Sequence, residues 1–134
     1  MRKAIISAAL CMVLSMPVAA DDTEILTRVI YGEAGNCSRE MMEAVGSVVL
    51  NRVADDRFPD SIEGVVFQPG QYACTWDGNY DKDPSAEARE VAEMLLKDGS
   101  QIDESVVWQA EFQQGNGVYK TIESPFGTTM YFCY

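Results

Sequence analysis

Ser38-Arg-Glu-Met-Met-Glu-Ala-Val-Gly-Ser-Val-Val-Leu-Asn-Arg-Val53 is the stretch on which the fold turns. Ser38 is placed to cap a helix, and Met41, Met42, Val45, Val48, Val49 and Val53 then fall on one apolar stripe. Gly46 lies in that stripe, where a missing Cβ lets a neighbouring element approach closely. This pattern predicts a central helix around which the rest of the chain packs. Upstream, Asp21-Asp22-Thr23-Glu24 reads as a helix start, Ile25, Leu26, Val29 and Ile30 recur at helical spacing, and Gly32 predicts a stop near Glu33. Downstream, Asp60 with Glu63 predicts a short capped helix running to about Phe67, and Asp83 with Pro84 predicts another, with Val91, Ala92, Leu95 and Leu96 inside and Gly99 at its end.

Between these helices, Gln68 to Asp83 shows neither helical nor alternating period and predicts a long functional loop. The last third changes character. Val106 to Phe112 and Val118 to Ile122 suit strands, Asn116-Gly117 predicts a hairpin between them, and Met130 to Tyr134 suits a third strand. Helices followed by a small antiparallel sheet make a single α+β domain.

The N-terminus reads differently. Arg2 and Lys3 precede an apolar run from Ala4 to Met16, and Pro17 leads into the small residues Val18-Ala19-Ala20, the pattern of a secretory signal peptide over 1–20. The run is shorter than the roughly 20 residues a membrane span needs, so no stable membrane insertion is expected after cleavage. The remaining domain, 21–134, carries eight Lys+Arg against 21 Asp+Glu once Arg2 and Lys3 are removed, a net charge of −13. Nucleic acid is thereby a poor partner, since its phosphates demand a positive footprint. Export also predicts a disulfide among Cys37, Cys74 and Cys133, with one thiol left over and the pairing open.

The chain contains no histidine. Ser-His-Asp and Cys-His nucleophilic sites need an imidazole base, and most zinc hydrolases need one as ligand, so the remaining chemistry is that of carboxylates, hydroxyls, thiols and backbone. No metal site is expected from three widely spaced cysteines. Among the acids Glu33 stands out: it follows Val29-Ile30-Tyr31-Gly32 at the end of an apolar helix, where desolvation and the negative helix terminus both favour the protonated carboxyl of a general acid.

Several ordered blocks carry a resemblance. Leu26-Thr-Arg-Val-Ile-Tyr-Gly-Glu-Ala34, Val45-Gly-Ser-Val-Val-Leu-Asn-Arg-Val53, Arg57-Phe-Pro59, Ile62, Val65, Gln68-Pro-Gly-Gln-Tyr72 and Trp76-Asp-Gly78 are similar to the cell wall hydrolase family that includes spore cortex-lytic enzymes of the SleB/CwlJ type. The resemblance implies a lysozyme-like domain that cuts peptidoglycan glycan strands, needs no cofactor, and uses the acid of its Tyr-Gly-Glu-Ala block, here Glu33. A lytic transglycosylase needs only that one acid, whereas hydrolysis by a muramidase or glucosaminidase normally uses a second carboxylate. Asp77 is the one acid in a matching block that could serve.

The loop Gln68 to Gly78 is expected to form part of the glycan groove, with Tyr72 and Trp76 offering flat faces to sugar rings, Gln71 and Asp77 polar groups, and Tyr31 a contact beside Glu33. Asn51 and Arg52 are expected to make buried structural hydrogen bonds. A Cys37–Cys74 bridge would tie the loop to the base of Glu33. Many family members close with a Gly-x-His-x-Phe-Tyr segment, where this chain reads Gly127-Thr-Thr-Met-Tyr-Phe132. A glycan-binding member that does not cut is the rival to an enzyme. The negative charge would be repelled by teichoic acids and stem-peptide carboxylates, so targeting to the wall falls to an accessory partner or to the groove itself.

Overall fold

The computed structural model describes residues 20–134, and the segment read as a signal peptide lies outside them except for Ala20. Five helices come first: α1 (Ala20–Ala34), α2 (Arg39–Ala54), α3 (Ile62–Val66), α4 (Cys74–Asp77) and α5 (Ala86–Asp98). A sheet of β1 (Trp108–Ala110), β2 (Val118–Glu123) and β3 (Thr129–Cys133) follows. Among the described residues no helix is long and apolar enough to cross a membrane.

Helix α2 is central as its stripe predicts. The Ser38 hydroxyl accepts the Met41 N–H at 3.2 Å, and Met41, Met42, Val45, Val48 and Val49 are buried. Each such side chain contributes roughly 1.5–3 kcal/mol when removed from water. Helices α1, α2 and α5 pack on one another, and a Cβ at Gly46 would overlap Leu95 of α5 and Ile30 of α1. The expected close approach is therefore made there from two sides.

Three caps fall elsewhere than expected. Residues 21–24 lie inside α1, and the Glu24 carboxylate binds Arg28 and Arg89 instead. Ser61, not Asp60, caps α3 by accepting the Gly64 N–H at 2.9 Å, and Ser85 rather than Asp83 caps α5 by accepting the Ala88 N–H at 3.1 Å. Both serines have the extended backbone that aims the hydroxyl at the first turn. Helix α1 ends at Ala34, next to the expected stop near Glu33, but Gly32 lies inside its last turn and does not cap it.

The sheet order is β1-β3-β2, so Asn116-Gly117 does not close a hairpin between β1 and β2. Trp108 and Val118 both pair with Cys133, from opposite sides. β3 carries the fully buried Phe132 and Cys133 and takes the centre, and the Asn-Gly segment crosses its end: the Asn116 N–H donates to the Tyr134 carbonyl and the Tyr134 N–H to the Gly117 carbonyl, both at 3.0 Å. The true hairpin joins β2 to β3 through Pro125, Phe126 and Gly127, with the Ser124 N–H donating to the Thr128 carbonyl at 2.8 Å.

Helices and sheet are fastened through Asn51 and Arg52, in the structural role expected of them. Asn51 Nδ2 donates to the carbonyls of Asp103 at 2.8 Å and Val106 at 2.9 Å. Arg52 Nε donates to the Val107 carbonyl at 2.7 Å, and its guanidinium lies 5.1, 5.3 and 5.7 Å from the ring centroids of Phe58, Tyr72 and Trp108. A buried cation is thus held by a carbonyl and π faces, without a carboxylate.

Candidate active site

Glu33 is the penultimate residue of α1, where the apolar face of the helix (Leu26, Val29, Ile30) commits its end to the core. Its carboxyl is half-buried. Oε1 accepts the backbone N–H of Cys74 at 3.2 Å, and the Cys74 thiol lies beside the same group. Burial pushes the Glu33 carboxyl above its ordinary range; the Cys74 N–H and thiol pull it partly back, and the nearby Asp77 charge adds a small upward push. Burial and the adjoining Glu33 also drive the Cys74 thiol well up, which keeps it neutral.

Gly32 makes this junction possible. A Cβ there would fall 2.6 Å from the Cβ and 2.9 Å from the Sγ of Cys74, so only glycine lets α4 close onto α1. The residue read as a helix stop serves instead as a contact surface.

Glu33 opens into a cavity of about 280 Å³ at the junction of helices and sheet. One wall is the end of α1 and the turn after it, with Tyr31, Asn36 and Cys37. The second is the end of the long loop, with Asn79 and Lys82, and the third is Glu111 with the β2–β3 hairpin, including Ser124, Phe126, Thr128 and Met130. Phe126, at the hairpin tip, is 72% exposed. The cavity thus holds carboxyl, amide, hydroxyl and aromatic groups, the set that binds sugar hydroxyls and acetamides.

The groove is built differently from the sequence reading. Tyr31 and Glu33 are brought together as expected, but Gln71, Tyr72, Trp76 and Asp77 do not line the cavity. Tyr72 is 1% exposed with its ring under the Arg52 guanidinium, so no face is free for a sugar; burial raises its hydroxyl to about 12. Gln71 Oε1 accepts from Arg52 Nη1 at 3.3 Å. Asp77 Oδ1 accepts the Asn79 N–H at 2.9 Å in a local turn, and Trp76 is exposed outside the cavity wall. From the long loop it is Asn79 and Lys82 that line the cavity, and the second acid there is Glu111.

The expected disulfide is not formed. Cys37, Cys74 and Cys133 are free thiols on three separate elements: the α1–α2 turn, the start of α4 and the central strand. Cys74 is directed to Glu33 and Gly32 instead of Cys37. Glu111 and Phe126 escaped the sequence reading; the one signal for Phe126 was an aromatic residue set between Pro125 and Gly127 in a turn, where apolar side chains are normally avoided.

A helix cluster closed by a three-stranded sheet, with a half-buried glutamic acid at their junction, defines a lysozyme-like α+β domain. The chain belongs to the cell wall hydrolase family, whose model it matches over residues 36–131. The match begins just after Glu33 and does not cover that acid. Spore cortex-lytic enzymes of Oceanobacillus iheyensis and Bacillus subtilis are each 36% identical to it over 70 residues, or 52% of this chain and 25% and 23% of theirs. The chain therefore spans about a quarter of the length of these relatives. Its fold is that of the catalytic domain of the germination-specific lytic transglycosylase SleB from Bacillus anthracis, with a TM-score of 0.69 at 20% identity over 88% of this chain and 98% of that one. The catalytic domain of Bacillus cereus SleB gives 0.67 at 20% identity over 85% and 90%.

Proposed function

We propose that this protein is a secreted peptidoglycan-lytic enzyme, released by removal of residues 1–20, that cleaves the bond between N-acetylmuramic acid and N-acetylglucosamine as a lytic transglycosylase. The observation that carries the reading is Glu33: a half-buried carboxyl biased toward its protonated form, facing a polar cavity. Protonated Glu33 gives its proton to the glycosidic oxygen as the bond breaks through an oxocarbenium-like state. The carboxylate left behind takes the proton of the muramoyl 6-hydroxyl, whose oxygen closes on the anomeric carbon to give a 1,6-anhydro ring. Tyr31, Asn79, Ser124 and Thr128 surround the reacting sugars, and Phe126 stacks on one at the rim. Membership of the cell wall hydrolase family and the spore cortex-lytic relatives support the substrate class.

A second reading, hydrolysis, is favoured by Glu111, which lines the same cavity and could activate a water on the opposite side of the scissile bond. Mass spectrometry of muropeptides released by the purified mature chain separates the two: anhydro ends support the transglycosylase, reducing ends the hydrolase, and no release defeats both.

A further inference from the structure

The basic residues after residue 20 are few, and nearly all are occupied by the protein itself. Arg28, Arg39, Arg57, Arg89 and Lys120 are ion-paired to Glu24, Glu43, Asp55, Glu24 and Glu40, and Arg52 is buried against the Val107 carbonyl. That leaves Lys82 and Lys97, neither of which makes an ion pair among the described residues. Lys97 belongs to the last turn of α5, where the helix terminus favours a cation. Lys82 lines the cavity that Glu33 opens into, and among the described residues it is the one basic side chain there.

Its position is fixed from the helix that holds the acid. Arg28 of α1, tethered by Glu24 at 2.7 Å, donates through Nη1 to the carbonyls of Tyr80 and Lys82, both at 3.1 Å. The backbone of the loop carrying Lys82 is thus clamped to the same helix as Glu33, which sets the root of the exposed lysine side chain beside the cavity. In a domain of net charge −13, an unpaired cation at the cavity is a local positive site available to an anionic group of a ligand.

Building on the glycan-cleaving reading, we propose that Lys82 is a substrate-recognition residue that binds a carboxylate of the peptidoglycan strand, either the lactyl carboxylate of a muramoyl residue without its peptide or a carboxylate of the stem peptide. It gives the groove a local attraction that the domain as a whole lacks. It also selects for strands carrying such a group over neutral N-acetylglucosamine polymers.

Binding is measured calorimetrically in the Glu33→Gln background, so that nothing is cut, with three probes: glycan strands bearing stem peptides, amidase-stripped strands bearing free lactyl carboxylates, and chitooligosaccharide, which has neither. Lys82→Gln should weaken binding of a carboxylate-bearing probe about three- to fivefold, the size expected for a partly solvated ion pair. Lys82→Arg should restore it, added salt should erase it, and the chitooligosaccharide should show no such penalty. Which of the first two probes shows the loss identifies the carboxylate. Lys97→Gln is the control for charge lost at a distance. Equal affinity for all three probes with and without Lys82→Gln overturns the assignment even if the wild-type chain cuts glycan. Lys82-dependent binding by a chain whose wild type cuts nothing keeps the recognition site and removes the enzyme, and a chain that neither cuts nor binds loses both.

Discussion

The backbone N–H of Cys74 donates to Oε1 of Glu33 across 3.2 Å, joining the start of α4 to the end of α1 at the proposed catalytic acid. Two effects meet at this bond. The donor favours the carboxylate and burial favours the acid, and burial is the larger. The result is a carboxyl biased toward its protonated form that still has a donor to steady the anion left after the proton is given away.

Glu33→Gln should lower glycan cleavage at least about 100-fold, the usual loss for a positioned general acid, while the fold survives because a Gln oxygen can still accept the Cys74 N–H. Anhydro-muropeptide release measured beside a melting curve tests both halves.

The same carboxyl predicts two pH effects of known sign. Because its folded-state pKa lies above the ordinary 4.5, the folded chain holds an extra proton between the two values. That contribution to stability is complete below about pH 4.5 and is lost as pH rises through the raised value. Glu33→Gln should therefore melt higher than wild type at pH 8, with the gap closing toward pH 4. Cleavage should fall over the same upper window as the acid loses its proton. A gap that widens toward acid would refute the assigned direction.

Gly32→Ala tests the junction itself. Alanine is the better helix former by roughly 1 kcal/mol, yet its Cβ would overlap the Cβ of Cys74 and push α4 from Glu33. We expect cleavage to drop about tenfold or more, since small displacements of positioning groups are costly. Cys74→Gly should restore part of it in the double variant. Cys74→Ala should not, because it keeps the offending carbon.

Much of this arrangement was readable from the chain. The α2 stripe, the Ser38 cap, Glu33 at the end of an apolar helix and the buried roles of Asn51 and Arg52 all follow from local spacing and side-chain chemistry. The misplaced features share a cause: they depend on partners far away in sequence. Tyr72 reads as a sugar platform until Arg52 covers it, Gly32 reads as a stop until Cys74 packs on it, and Asn116-Gly117 reads as a hairpin until β3 takes the centre of the sheet. Glu111, Lys82 and Phe126 meet Glu33 only in the folded chain, and no spacing within any one block brings them together.

Arg52 should matter for stability far more than for chemistry. Replacing it with Met retains much of the volume but leaves the Val107 carbonyl without its charged donor, a loss of about 1.5–3 kcal/mol. Lysine is not a conservative substitute, because an ammonium cannot lie flat among Phe58, Tyr72 and Trp108. Urea denaturation of Arg52→Met and Arg52→Lys should show both less stable than wild type, with the m-value unchanged.

Phe126 and Trp76 separate the groove that the structure builds from the one the sequence suggests. Both are large exposed aromatics, 72% and 61% accessible, and neither is held by the core, so truncating either should leave the melting temperature almost unmoved. They differ in place. Phe126 lines the cavity with Glu33, whereas Trp76 lies outside its wall. Stacking of a sugar on an aromatic face is worth about 1 kcal/mol or more, so Phe126→Ala should raise KM about fivefold or more with kcat less affected. Trp76→Ala should change neither by more than about twofold. Steady-state kinetics of the two variants on the same glycan preparation compare them directly. A larger loss from Trp76→Ala would move the groove to the α4 side of Glu33 and reinstate the loop from Gln68 to Gly78 as its wall.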